Sequence, residues 1–278
     1  MFKMKKTVFL VFVLIFLTAC SGISQTSKTS GTPDGVRISF LDLQPRSELR
    51  VGETFDIGLE LENTADCNVQ GQVCVRDLFA SSISGVQDQC QEFDLRKKDI
   101  TTDSKKFYFT DNVYDTNLGN LRSTIIADAS YSCHIELNPQ LCVKSSIDDE
   151  SLCKNRETLS QNTLGLKTAP VTITQIEKLL IPQSNSIKME ITLHLRKMAN
   201  GNLQGPLGII LNYEGYGNLR CRDLENLEWD DRDTEKIIKC EISLNVGDVE
   251  DNPLIISIDY NYQNSEQKQI QIMQEGDV

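Results

Sequence analysis

The sequence predicts an all-β protein built from two tandem antiparallel β-sandwiches, at residues 35–143 and 170–278. Three observations lead to this prediction. Apolar residues recur at every second position in many short segments, which is the period of a strand with one buried face. Turn-forming residues separate these segments at short intervals, and no long amphipathic helical pattern occurs. The chain of 278 residues is also long enough for two ordinary domains.

The first block shows this alternation clearly. Val36, Ile38 and Phe40 alternate with polar residues, and Phe55–Leu61 repeats the pattern. The polar run 63–66 interrupts it before a strand resumes at Val69. Further predicted strands lie at Gln91–Leu95, Lys106–Thr110, Ser123–Ile126 and Tyr131–Leu137.

Residues 144–169 are polar and charged, so we interpret them as a connector, with a short helix considered near Asp148–Lys154. A second short helix is considered in the second block, at Asp223–Trp229. The second block then contains the long alternating strand Ile187–Leu195. The end of the chain predicts a hairpin. Ile256–Tyr262 forms its first strand, Gln263–Glu266 the turn, and Ile270 and Ile272 belong to the returning strand.

The opening of the first block resembles a known domain type. Gly35–Phe40, a proline-containing loop, and Gly52-Glu53 leading into Phe55–Asn63 look like the first strands of an immunoglobulin-like domain of the cell-adhesion-related bacterial and archaeal type. Tyr131-Ser132-Cys133 also matches the Tyr-x-Cys step of a tyrosine corner. The resemblance implies tandem immunoglobulin-like sandwiches, although the matching cysteine is absent from the Phe55–Leu61 strand.

The N-terminus predicts export. Lys3, Lys5 and Lys6 precede an apolar run from Val8 to Leu17, the pattern of a secretory signal peptide. The segment Leu17–Cys20 resembles the lipobox of prokaryotic lipoproteins, which implies cleavage after Ala19 and lipid attachment to Cys20. Residues 1–19 are therefore expected to be the signal peptide. Residues 20–34 hold the lipidated cysteine and a flexible Ser/Thr/Gly tether.

Eight further cysteines predict four disulfides in an oxidising compartment: Cys67, Cys74, Cys90, Cys133, Cys142, Cys153, Cys221 and Cys240. Cys67 and Cys74 on one extended strand are about 20 Å apart, too far to bond unless a tight turn intervenes. Cys74–Cys90 is therefore the preferred pair, which leaves Cys67 for Cys133, Cys142 or Cys153. Cys221–Cys240 is the pair available in the second block.

The net negative charge of the chain limits the classes of partner that it is expected to bind. Without residues 1–19, the formal net charge changes from −12 to −15 because that segment holds three lysines and no acidic residue. Such an acidic chain argues against nucleic-acid binding. We expect the membrane to be contacted through the lipid, with another envelope or surface protein as partner, and we expect no cofactor.

The candidate contact residues are aromatic. Trp229 is the sole tryptophan and sits in an acidic segment, where it either anchors a ligand at a loop tip or caps the core. Tyr213 and Tyr216 carry the same two alternatives. Asp231, Asp233 and Glu235 are weak calcium candidates, because Lys236 replaces the turn glycine of a calcium loop.

No catalytic motif stands out. His134 and His194 lie in alternating strands on the polar face, and the chain has neither a Gly-x-Ser-x-Gly elbow nor a His-Glu-x-x-His motif. We therefore expect a non-enzymatic binding or structural lipoprotein, anchored outside the cytoplasm at the cell membrane or outer membrane. The alternative is a carbohydrate- or solute-binding lipoprotein, with or without calcium.

Overall fold

A computed structural model describes residues 35–78, 85–97, 101–115, 121–146, 153–164, 169–222, 224, 227, 229 and 233–274. The predicted signal peptide, Cys20 and the tether lie outside these residues, as does most of each segment considered for a short helix. The elements in the described ranges are β-strands, so the all-β prediction is confirmed. Across the same ranges, no helix has the length and hydropathy needed to cross a membrane.

The strands follow the alternation of apolar and polar residues, because each places every second side chain in the core. In chain order they are β1 Val36–Phe40, β2 Glu48–Arg50, β3 Thr54–Asn63, β4 Val69–Asp77, β5 Gln89–Leu95, β6 Asp103–Val113, β7 Leu121–Leu137, β8 Gln140–Val143, β9 Arg156–Ser160, β10 Val171–Pro182, β11 Ile187–Lys197, β12 Asn202–Leu203, β13 Gly208–Tyr213, β14 Gly217–Asn218, β15 Arg220–Cys221, β16 Glu235–Leu244 and β17 Glu250–Met273.

These strands form three sheets. The N-terminal sheet has the order β1-β3-β6, and the C-terminal sheet has the order β15-β16-β11-β10-β9. The central sheet has the order β14-β13-β17-β7-β4-β5, and β2, β8 and β12 also pair with β17. Buried side chains of all three sheets belong to one continuous hydrophobic core, which is consistent with β-sandwich packing.

β7 and β17 lie side by side in the middle of the central sheet and pair along the whole length of β7. Every residue of β7 lies opposite a residue of β17, from Leu121 opposite Ile272 to Leu137 opposite Ile256. β4 pairs along the β7 edge of this two-stranded ribbon, and β13 pairs along its β17 edge. The ribbon therefore carries strands from both blocks of the sequence.

Two separate tandem sandwiches are not confirmed. Residues 32–278 form one compact unit, and β17 from the second block pairs with β7 from the first. The region 144–169 is also more than a connector, because β9 lies within it and pairs with β10 along the edge of the C-terminal sheet. Cross-strand hydrogen bonds, which a hydropathy pattern does not reveal, account for both differences.

The C-terminal hairpin prediction is wrong, because β17 continues as one strand of 24 residues. Its polar stretch was predicted as a turn since it lacks apolar alternation. Two of its inward-facing residues instead meet β1. The Asn264 Nδ2 atom donates to the Val36 carbonyl oxygen at 2.6 Å, and the Lys268 Nζ atom lies 5.7 Å from the centre of the Phe40 ring.

All eight cysteines outside the signal region are paired. Cys74–Cys90 and Cys221–Cys240 are bonded as predicted, each between directly opposed residues of neighbouring strands. Cys67 bonds to Cys133, one of its three predicted partners, and Cys142 bonds to Cys153. Four disulfides indicate an oxidising compartment outside the cytoplasm.

Loss of the Cys67–Cys133 disulfide should destabilise the protein more than loss of Cys74–Cys90. The first pair is buried and spans 66 residues, which corresponds to about 4 kcal/mol of chain entropy. The second spans 16 residues, with Cys90 exposed, and corresponds to about 3 kcal/mol. Urea unfolding of the two double Cys→Ala variants measures the difference. A larger loss from the Cys74–Cys90 variant would contradict this ranking.

Candidate functional site

Tyr213 is a core residue. Its side chain is fully buried, and its hydroxyl donates to the Leu141 carbonyl oxygen at 2.9 Å. Burial raises the pKa of Tyr213 to about 12, since the ionised phenol loses its hydration there. The ring stacks on Tyr216, with 5.6 Å between ring centres. Tyr213 therefore belongs to packing and does not offer an exposed surface for a ligand.

Tyr216 and Trp229 are half-buried and pack against the core. The Tyr216 hydroxyl donates to Glu250 Oε2 at 2.7 Å, and the Trp229 indole N–H donates to the Asp233 carbonyl oxygen. Of the two alternatives for Trp229, the structure therefore favours the core-capping position over an exposed loop tip.

The calcium candidates that the structure describes contact different basic groups. An Asp233 carboxylate oxygen pairs with Lys236, whereas Glu235 Oε1 lies 3.3 Å from His194 Nδ1. Asp231 lies outside the described residues. In the described part of the chain, no group of three or more His, Cys, Asp or Glu residues is placed to hold a metal ion.

A different region has the form of a binding site. The outer face of the central sheet contains a recess with a volume of about 720 Å³. Binding sites for small molecules commonly have volumes of about 300–1,000 Å³. We call this recess the amide groove and define it by six polar residues: Gln70, Gln72, Ser130, Ser132, Gln204 and Asn261. The charged residues Glu92, Asp94 and Lys105 form the rest of its polar lining, which we call the rim.

The register of the central sheet aligns these side chains in two rows. One row crosses four neighbouring strands through Asp94, Gln70, Ser132 and Asn261. Neighbouring positions in a row are about 4.8 Å apart, and positions two residues apart along a strand are separated by about 7 Å.

The second row runs parallel to the first through Glu92, Gln72, Ser130 and Gln263. Gln204 flanks both rows, because its backbone N–H donates to the Asn261 carbonyl oxygen and its side-chain amide donates to Gln263 Oε1 at 2.8 Å. The groove is thus a grid of amide and hydroxyl groups with a carboxylate at the end of each row.

Several groove side chains have unused hydrogen-bonding capacity. Within the described structure, no hydrogen bond engages the side chain of Gln70, Gln72, Ser130 or Asn261. Other outer-face side chains pair across strands, as Arg37 does with Glu62 at 3.0 Å. The groove therefore presents donors and acceptors that water or a ligand can satisfy.

A smaller recess of about 380 Å³ continues the groove and shares Gln70, Ser132 and Asn261 with it. His134 lies there with its Nδ1 atom 2.7 Å from Asp259 Oδ1, its cross-strand neighbour. The Ser132 hydroxyl donates to the Gln70 carbonyl oxygen at 3.4 Å and makes no hydrogen bond to His134 among the described contacts.

Gly71 lets β4 approach β7 beneath the groove. A Cβ atom on Gly71 would lie 2.7 Å from Tyr131 Cα, and it would also collide with the Ser130 carbonyl oxygen. The tyrosine ring is buried at this position, and its hydroxyl accepts a hydrogen bond from the Val36 N–H at 3.2 Å. Close strand packing on the inner face thus supports the floor of the groove.

Sequence reasoning did not single out the six groove residues. A usable signal was present on β17, where the outward positions from 261 to 271 are Asn261, Gln263, Ser265, Gln267, Gln269 and Gln271. A series confined to amides and a serine is unusual for the exposed side of a strand, which commonly carries charged residues as well. The signal was hidden because several intervening inward positions are also polar.

Comparison with known proteins adds little. No protein-family model matches the chain, and no curated protein matches it. Among solved structures, a DUF4466 family protein from Parabacteroides merdae aligns over 83% of this chain and 99% of its own, with 10% identity and a TM-score of 0.20. A TM-score of this size supports no inference about either fold or function.

Replacing Gly71 with alanine should destabilise the protein by about 1–3 kcal/mol, the usual cost of overpacking. Gly208→Ala is the matched control, because Gly208 also lies in the central sheet and the nearest atom to an added Cβ is 3.4 Å away. Urea unfolding should show a change below about 1 kcal/mol for the control. Equal stability of the two variants would rule out the close approach.

Proposed function

We propose that this protein is a lipid-anchored, extracytoplasmic, non-enzymatic binding module of the cell envelope, and that the amide groove is its binding surface. The observation that carries the proposal is the grid of amide and hydroxyl side chains on the outer face of the central sheet, several of which make no hydrogen bond within the described structure. Such groups can hold a ligand through hydrogen bonds alone, which suits a binding module.

Lipid anchoring is supported by the sequence. The basic start, the apolar run and Leu17–Cys20 resemble a lipoprotein signal, and Cys20 is the one cysteine left over after four disulfides form. A tether of 14 residues after Cys20 would separate the folded part from the lipid by roughly 20 Å.

An immunoglobulin-like architecture for the first block is also part of the proposal. The order β1-β3-β6 corresponds to strands A, B and E of such a domain, and β4, β7 and β17 correspond to C, F and G. In this interpretation β17 completes the first sandwich. The strands from β8 to β16 form a second sandwich that is inserted between β7 and β17, which replaces the simple tandem arrangement.

Carbohydrate binding is the second candidate function. The three aromatic residues first considered for it pack against the core, so they do not favour it. The uncharged polar groups of the amide groove do favour it, because they match the hydroxyl groups of a sugar.

Cys20→Ala should release the protein from the membrane fraction, because the thiol that would carry the lipid is lost. Ser21→Ala is the matched control and should remain with membranes. Fractionation of cells followed by immunoblotting measures the distribution. Retention of the Cys20→Ala protein in membranes would contradict lipid anchoring and indicate an uncleaved N-terminal helix.

The groove is tested with the full chain purified in detergent and mixed with washed host envelopes. Ser132→Arg places a large side chain across the rows and should reduce co-sedimentation at least tenfold. Ser39→Arg is the control, since Ser39 is an exposed strand serine on the N-terminal sheet. If both variants co-sediment like the unmodified protein, the groove is not the binding surface.

A further inference from the structure

We infer that the amide groove binds a neutral, hydroxyl-rich chain, an uncharged glycan, through side-chain hydrogen bonds. This inference rests on the proposed function and adds the chemical class of the ligand. Its starting point is the two rows that cross four strands with amides and hydroxyls and that each carry a carboxylate at the β5 end.

The side-chain chemistry of the rows suits a polyol. Each amide of Gln70, Gln72 and Asn261 offers a donor and an acceptor, and so does the Ser130 hydroxyl, whereas the Ser132 hydroxyl donates within the protein and offers an acceptor. A sugar hydroxyl is likewise both a donor and an acceptor. One groove side chain can therefore accept its hydrogen bond while a neighbouring side chain donates to its oxygen. The spacing of about 4.8 Å between strands repeats this pairing along a row.

The charges around the groove exclude an anionic ligand. Glu92 and Asp94 lie at the end of the rows, and Asp259 lies in the adjoining recess. The single lysine of the rim, Lys105, holds its Nζ atom 5.2 Å from the centre of the Phe107 ring. With acidic groups in excess, phosphorylated or uronic chains meet net repulsion, whereas a neutral chain does not.

Two features of the groove disfavour a peptide ligand: the strand pairing around it and the burial of the aromatic residues beneath it. At the groove, β4 and β7 each have a paired strand on both sides, so an added strand could pair only with the edge strand β5, whose outward residues there are the carboxylates Glu92 and Asp94. The aromatic residues beneath it are buried, with Phe93 4%, Tyr131 3% and Tyr262 0% exposed. In the described lining, the exposed apolar side chain is Pro206 of the adjoining recess. One such side chain provides too little apolar surface for a protein-binding hot spot.

No aromatic ring is exposed in the described lining of the groove, which predicts weak binding. Hydrogen bonds that replace bonds to water contribute modestly, so a single groove should bind with a Kd of about 1 mM. Many copies anchored on one membrane would bind a long polymer through several grooves at once, which raises the effective affinity.

Affinity electrophoresis suits this weak binding. The full chain, purified in a polyoxyethylene detergent that carries no sugar headgroup, is run through gels containing dextran, glucomannan or galactan. A gel with polygalacturonate supplies the anionic comparison. We expect at least one neutral polymer to retard the protein and polygalacturonate to have no effect.

Variants assign the retardation to the groove. Gln70→Ala and Asn261→Ala should each raise the apparent Kd about three- to tenfold, the effect of losing one or two hydrogen bonds. Ser132→Arg should abolish retardation and Ser39→Arg should leave it unchanged, with circular dichroism confirming that all variants are folded. Retardation by polygalacturonate, retardation of Ser132→Arg, or no retardation by any neutral polymer would overturn the inference.

Failure of this inference is distinguishable from failure of the proposed function. If Ser132→Arg loses envelope binding but no neutral polymer retards the protein, the groove still binds the envelope and only the ligand class is wrong. Protease treatment of the envelopes then separates a protein ligand, whose binding is lost, from a non-protein one. If Ser132→Arg co-sediments with envelopes like the unmodified protein, both proposals fail together.

Discussion

The antiparallel pairing of β7 with β17 is the interaction on which the rest of the structure depends. It joins residues 121–137 of the first block to residues 256–272 of the second in continuous register, so strands of both blocks share one sheet. Strands from the first block attach to the β7 side through β4, and strands from the second block attach to the β17 side through β13. Because strands of both blocks pair with this ribbon, neither block can form the central sheet by itself.

The same ribbon positions the amide groove. Outward residues of β4, β7 and β17 align in rows because the strands pair without a register shift over this region. Polar outward side chains are tolerated because the backbones beneath them are already hydrogen-bonded and the core lies on the other face. The inner face supplies the stability, through the buried tyrosines and the close approach at Gly71. Binding chemistry and packing therefore occupy opposite faces of the same strands.

Local pattern predicted much of the fold. Alternation located β1, β3 and β11, and simple reach across neighbouring strands predicted the Cys74–Cys90 pair. The misses have a common physical origin. β9 and the middle of β17 are polar and are stabilised by cross-strand hydrogen bonds, so periodicity revealed neither β9 nor the continuity of β17. The two alternatives for the aromatic candidates stayed open in the sequence for a related reason, since local pattern does not show whether such a side chain packs inward.

The sequence by itself determined the all-β class, the even set of eight cysteines and the acidic character of the chain, because composition and short-range alternation specify these directly. Only the tertiary structure decided that β17 returns to β7, which partner Cys67 takes, and that Gln70, Ser132 and Asn261 share a row. Residues about 60 and 130 positions apart become neighbours there through strand register. Register is a long-range property, set by side-chain packing between distant strands, and no local pattern contains it.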